Sequence, residues 1–319
     1  MRWIVSLTAL ALAACTTPPA SSSTTTGTAS TVTSTAASSG ASSGATVPAP
    51  LPSASATAPA IPSWTHGYGW LATPPAPGSA LGERVATEAG FQRVPVADDS
   101  FAAFLRSLPL KDRGSPVVSF KGETILQPND PRLVGVVAID VGDKDLQQCA
   151  DSIIRMHAEW RWGVSRKDVS YNSLSGFPMS FDRYRRGDRF VLAGKDLSWT
   201  TGARADDSHA AFRTYLDGVF MWANTQALAR DAKKVARADV RGGDFFVLGG
   251  APGHTVLILD VATDAQGHKH ALLGQGYMPA QSFHVVHPEG ASAWFSLDGD
   301  DVKTPFWIPF PWESLRRLD

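Results

Sequence analysis

The sequence predicts an α+β fold, with helices packed on an antiparallel sheet. Three observations carry this expectation. Leu146, Cys149, Ile153, Met156 and Trp160 recur at helical spacing. Phe212, Leu216, Val219 and Phe220 do the same further on. After these stripes come closely spaced Val- and Leu-rich runs broken by glycine turns, the pattern of an antiparallel meander.

The elements follow in order. Met1-Arg2-Trp3 and the apolar run from Ile4 to Ala14 have the form of a secretory signal peptide, too short for a membrane-spanning helix of roughly 20 residues. From Thr16 to Pro62 the chain is almost entirely Ser, Thr, Ala, Pro and Gly, and no charged residue lies between Arg2 and Glu83. Such a tract has too little apolar surface to offset the entropy of folding. We therefore expect a disordered linker over 15–80, spanning on the order of 40 Å as a flexible coil, and one globular domain over 81–319. Within that domain a helix is expected after Asp99 or Ser100, and strands near 117–120 and 134–141. A helix over about 143–162 should open on acidic residues that suit its dipole. Strands follow at 168–172, 189–193 and 196–200. Asp207 or Ser208 caps a helix from 208 to about 223, and a shorter helix covers 226–234. Strands at 245–248, 254–261 and 270–275 end the pattern, with a tight Gly249-Gly250-Ala251-Pro252-Gly253 loop and a turn at 264–267 between them.

Composition excludes several classes. A net charge of −1 offers no electrostatic case for nucleic acid. No phosphate-binding loop, dinucleotide fingerprint or GxSxG elbow occurs, so nucleotide chemistry is unsupported and no cofactor is expected. The histidines at 254, 268, 270, 284 and 287 form no HExxH pattern and have no cysteine nearby, so no metal site is expected. The two cysteines are Cys15 and Cys149.

Two local patterns resemble known families. Leu12-Ala13-Ala14-Cys15 resembles the lipobox of bacterial lipoproteins. That resemblance implies an acylated Cys15 anchoring the protein to a membrane, with Thr16 at the next position implying the outer membrane. Cys149 would then be the one thiol left, available as a free reactive group. The segments SFAAFLRSLPL, AIDVGDKDLQQCADSIIRMHAEW, FRTYLDGVFMWANTQAL, GGDFFVLGGAPGHTVLILDVA and GQGYMPAQSFHVV look like bacterial domain-of-unknown-function family 4846 across residues 81–318. That family name implies no activity.

The C-terminal half is also similar to NlpC-type and other papain-like cysteine hydrolases. In them a helix-borne cysteine attacks an amide, a strand-borne histidine is its base, and a polar residue on the next strand orients the histidine. Gly243-Asp244, Gly253-His254 and Gln275 stand at the corresponding places, which implies a papain-like core. The turn at 264–267 puts His254 roughly opposite Gln275 to Tyr277, where the amide can fix the imidazole tautomer. Asp260 shares that strand but lies some 20 Å away at about 3.3 Å per residue. Gly250 and Gly253 would let a substrate backbone approach.

Two readings of the nucleophile stay open. Cys149 is the sole thiol, but it is expected about a turn inside its helix and on an apolar stripe, where burial raises its pKa. Taken literally, the NlpC-like register puts the slot at Asp207 or Ser208, pointing to a non-thiol mechanism or a binding module; Ser208 also reads as a helix cap. The expected function is a membrane-anchored envelope thiol hydrolase acting on amides of peptidoglycan peptides, with Cys149, His254 and Gln275 as its catalytic set. The alternative is a non-catalytic envelope-binding lipoprotein with a glycan or peptide ligand and Cys149 in the core.

Overall fold

The computed structural model describes residues 64–319. Cys15, the signal-peptide expectation and most of the expected linker lie outside them. The packed chain starts earlier than the sequence suggests. Trp64, Tyr68 and Trp70 pack against the main core, and Trp70 Nε1 donates to the Ala138 carbonyl at 2.8 Å. Residues 64–80, assigned to the linker by the sequence, therefore belong to the packed domain, because three aromatics supply apolar surface that joins the core.

The fold is α+β, as expected. In chain order its main elements are β1 (Gln92–Arg93), α1 (Phe101–Arg106), β2 (Leu133–Val136), α2 (Cys149–Gly163), α3 (His209–Trp222), α4 (Thr225–Asp231) and β3 (Lys233–Lys234). They are followed by β4 (Phe245–Leu248), β5 (His254–Thr263), β6 (Lys269–Gln275), β7 (His284–Val286), β8 (Phe295–Ser296) and β9 (Leu315–Arg317). One nine-stranded antiparallel sheet runs β2-β7-β6-β5-β4-β9-β3, with β1 against β5 and β8 against β6. Short helices at Leu81–Arg84 and Phe181–Arg185 and four two-stranded ribbons complete it.

Both faces of the sheet are covered. Leu257 and Leu259 of β5 join Ile153 and Met156 of α2 and Leu216 of α3 in one core. Val256 and Ile258 point the other way, into a second core with Phe246, Leu273, Val286 and Phe310. This is the period-two alternation of a strand buried on both sides. It breaks once: the β5–β6 register slips between Ile258 and Asp260. The extra residue of this bulge turns Asp260 toward α1, where Arg106 and Arg93 bind it.

The helix expected at 143–162 begins at Cys149, six residues later. The acidic residues before it serve a loop instead of a first helical turn. Asp145 accepts from Gln148 Nε2 at 3.0 Å and from the Ala280 amide at 2.7 Å. The true first turn is fixed by Asp151, whose side chain accepts from the Gln148 amide at 3.2 Å. Behind it the fully buried Arg155 binds Gln147 at 2.8 Å, Asp140 at 2.7 Å and Glu159 at 2.8 Å, tying the loop to the helix.

Candidate functional site

The candidate site lies where the N-terminus of α2 meets the start of β5. Cys149 is the first residue of α2 rather than a turn inside it. Its sulfur contacts the carbonyl oxygen of Gly253 at 3.9 Å. Gly276, just past the end of β6, lets the chain pass close to the start of α2: a Cβ there would stand 2.1 Å from Ser152 Oγ and 2.9 Å from the Gln148 carbonyl. Burial and then the Asp151 carboxylate push the thiol up to about 11, against the opposing pull of the backbone amides of Ala150, Cys149 and Thr255. The thiol is 6% exposed and protonated at neutral pH.

His254 begins β5, and its ring Nε2 lies 2.8 Å from Gln275 Oε1 on β6. Gln275 Nε2 in turn lies 3.3 Å from His284 Nε2 on β7, and His284 Nδ1 lies 3.0 Å from the Ser282 carbonyl. The last contact sets the proton positions of the whole row. A carbonyl only accepts, so His284 carries its proton on Nδ1 and accepts at Nε2 from the Gln275 amide. Gln275 Oε1 then accepts from His254 Nε2–H, which leaves the His254 Nδ1 lone pair free. The His254 ring lies on the sheet face of the second core, against Tyr277, Trp307 and Phe310, whereas α2, which opens on Cys149, packs on the other face. Burial pushes both histidines down to about 4, so both are neutral at pH 7. The sulfur and the imidazole are not hydrogen-bonded to each other here; the thiol's bond goes to Gly253.

The row is roofed. The ribbon Asp301–Val302/Phe310–Pro311 carries a loop, 303–309, over the second core. Trp307 lies 5.1 Å and Tyr277 4.8 Å from the His254 ring, centroid to centroid, and Phe306 lies 5.8 Å from His284. Tyr277 donates to the Phe306 carbonyl at 3.3 Å. Trp307 Nε1 and Thr304 Oγ1 are buried without a hydrogen-bond partner.

The match to known families covers residues 81–317 and carries the description Domain of unknown function (4846). The chain belongs to that family. No curated protein and no solved structure matches it. The family's span holds Cys149, His254, Gln275 and His284 together with the loop above them.

The other sequence candidates stand elsewhere. Ser208 caps α3, accepting from the Ala211 amide at 3.2 Å. Asp207 is exposed, 3.7 Å from Lys167. Neither is bonded to His254. Gly250 and Gly253 are crowded by the protein itself: a Cβ on Gly253 would meet Thr225 Oγ1 at 2.3 Å, and one on Gly250 the Pro252 carbonyl at 2.7 Å. These glycines close a tight loop under α4. Among the described residues no group of three or more His, Cys, Asp or Glu is placed to hold a metal. Sequence reasoning missed His284 as a member of the row. Its signal was present, since alternation along HVV puts it on the same face as Val286.

Proposed function

We propose that this family member is an envelope lipoprotein, anchored through an acylated Cys15, that hydrolyses amides of cell-wall peptides with Cys149 as nucleophile. The observation that carries the reading is the His284–Gln275–His254 row, which fixes His254 in one tautomer with Nδ1 unprotonated, at the start of the strand whose preceding carbonyl, that of Gly253, the Cys149 sulfur contacts. In the reaction the Cys149 thiol passes its proton to His254 Nδ1 while the sulfur attacks the substrate carbonyl carbon. The C–N bond breaks, the imidazolium returns the proton to the leaving amine, and a thioester remains. Water then hydrolyses the thioester, with His254 again taking and returning the proton. Gln275 holds the ring in one tautomer throughout.

This chemistry needs a change at the roof. With Trp307 on the imidazole and the thiol pushed up to about 11, the ground state is inert. Lifting the 303–309 loop uncovers the imidazole, and substrate must reach the thiol at the start of α2 as well. Water at the sulfur removes the desolvation that raises its pKa. The two unpartnered groups on the loop, Trp307 Nε1 and Thr304 Oγ1, are polar atoms that gain partners when it opens.

A second reading rests on the same burial: Cys149 is a packing residue and the protein binds envelope ligands without turnover. Acid-quenched intact-mass analysis after mixing with muropeptides separates the two. The hydrolase reading expects an acyl adduct on Cys149 in the wild type and none in Cys149→Ala. Cleaved muropeptides without any dependence on Cys149 would end the thiol mechanism. Bound but uncleaved muropeptides would support the second reading.

A further inference from the structure

A separate cavity opens at the other end of β5, about 20 Å from His254 at the usual strand rise. Its volume is about 530 Å³, within the range of small-molecule sites. One wall is apolar and aromatic: Val94, Pro95, Phe101, Trp160 and Leu318. The floor is ionic. Buried Asp260 binds Arg106 Nε and Nη2 at 2.9 and 2.6 Å and Arg93 Nε at 2.7 Å. Buried Asp244 binds Arg317. Asp319, also at the rim, is matched by Lys233 at 2.7 Å.

The charges do not cancel. Arg93 and Arg106 share the single carboxylate of Asp260, so the floor carries an excess positive charge. Arg106 places Nε and Nη2 on Asp260 and on the Val94 carbonyl; its Nη1 forms no hydrogen bond among the described residues, although the side chain is only 4% exposed. Arg241 lines the same cavity, is exposed, and forms no side-chain ion pair or hydrogen bond among the described residues. Two guanidinium groups with free donors thus border a pocket that also holds the paired carboxylates of Asp244, Asp260 and Asp319 and one wall of hydrocarbon and indole. A carboxylate matches such a fork of donors, and an apolar body covers the wall.

We propose that this cavity is a second binding site, for a small organic carboxylate with an apolar or aromatic body. It uses none of the residues of the Cys149 site, and its standing is independent of any hydrolase activity. The test compares 4-phenylbutyrate with the uncharged 4-phenylbutan-1-ol on the folded protein, reading tryptophan fluorescence and calorimetry. The expected result is saturable binding with the acid at least about tenfold tighter, the size of one charge-assisted bond of 1.5–3 kcal/mol. Arg241→Gln should cut that preference to about threefold or less. Ala97→Trp, a change at an exposed lining position, should plug the cavity and abolish binding of both with the circular dichroism unchanged. Equal affinity for acid and alcohol, no saturable binding of either at millimolar concentration, or unaltered binding in both variants would overturn the proposal.

Discussion

His254 and His284 sit on strands β5 and β7, two apart in the sheet, and Gln275 on β6 joins them: its Oε1 lies 2.8 Å from His254 and its Nε2 3.3 Å from His284. All three side chains are essentially without solvent contact. A buried polar row of this kind is stable only when every member is satisfied. Replacing Gln275 with Leu orphans a donor on His254 and an acceptor on His284. At about 1–3 kcal/mol for each group left unpaired, we expect Gln275→Leu to lose about 2–6 kcal/mol in urea unfolding, and Gln275→Glu to lose less at low pH, where a protonated carboxyl can still bridge. Equal stability of Gln275→Leu and wild type would contradict the row.

Acid should unfold this protein through its buried histidines. His157, His254 and His284 are each pushed down to about 4 by burial. With folded values below the unfolded 6.5, the unfolded state binds the extra protons between the two. Stability is then full above about pH 6.5 and falls as the pH drops toward 4. At pH 5 each group costs about 2 kcal/mol by linkage. Asp151 works in the opposite direction, because burial holds its carboxyl well above the usual range. Thermal unfolding at pH 7.5, 6 and 5 checks this: Tm should drop steeply over the interval. A flat profile would mean that these rings are hydrated.

Asp151 also bears on the thiol. One of its carboxylate oxygens is buried without a partner, and its charge raises the Cys149 pKa. Asp151→Asn keeps the acceptor for the Gln148 amide and removes the charge. The variant should be more stable than wild type at pH 7, with the difference vanishing below about pH 3.8, where the unfolded carboxyl is protonated as well. Its thiol should alkylate faster at pH 9. Slower alkylation would reverse the assigned sign of that interaction.

The roof is open to direct testing. Iodoacetamide should label wild-type Cys149 far more slowly than free cysteine at pH 8, since the thiol is both covered and protonated. Trp307→Gly removes the ring that lies on His254, and modification of that imidazole by diethyl pyrocarbonate should rise by at least about tenfold over wild type. An unchanged rate would show that the 303–309 loop does not control access.

How far the sequence revealed this arrangement depended on locality. The β5–β6 hairpin was legible because apolar runs, a turn and two facing polar residues lie within about twenty-five positions. Its register brought His254 to Gln275 as the turn length required. The capping of α3 by Ser208 was legible for the same reason. The start of α2 was not: Asp143 and Asp145 resemble an acidic first turn, but Asp145 bonds Ala280 far along the chain. That long-range contact moves Cys149 to the helix terminus, where it meets β5. The roof was invisible as well, since residues 303–309 have no periodicity and gain their position only by packing on a finished sheet. Asp260 was rightly set aside as an orienter on distance, but its two arginine partners, one on α1, were unforeseen.

The most direct measurement is kcat/KM for muropeptide amide cleavage across one set of variants. The account predicts that Cys149→Ala abolishes turnover and that His254→Ala lowers it by at least about a hundredfold, the usual weight of a positioned base. Gln275→Ala should fall between these and the wild type, and Ser208→Gly should match the wild type. Cleavage by Cys149→Ala at the wild-type rate would contradict the account at its centre.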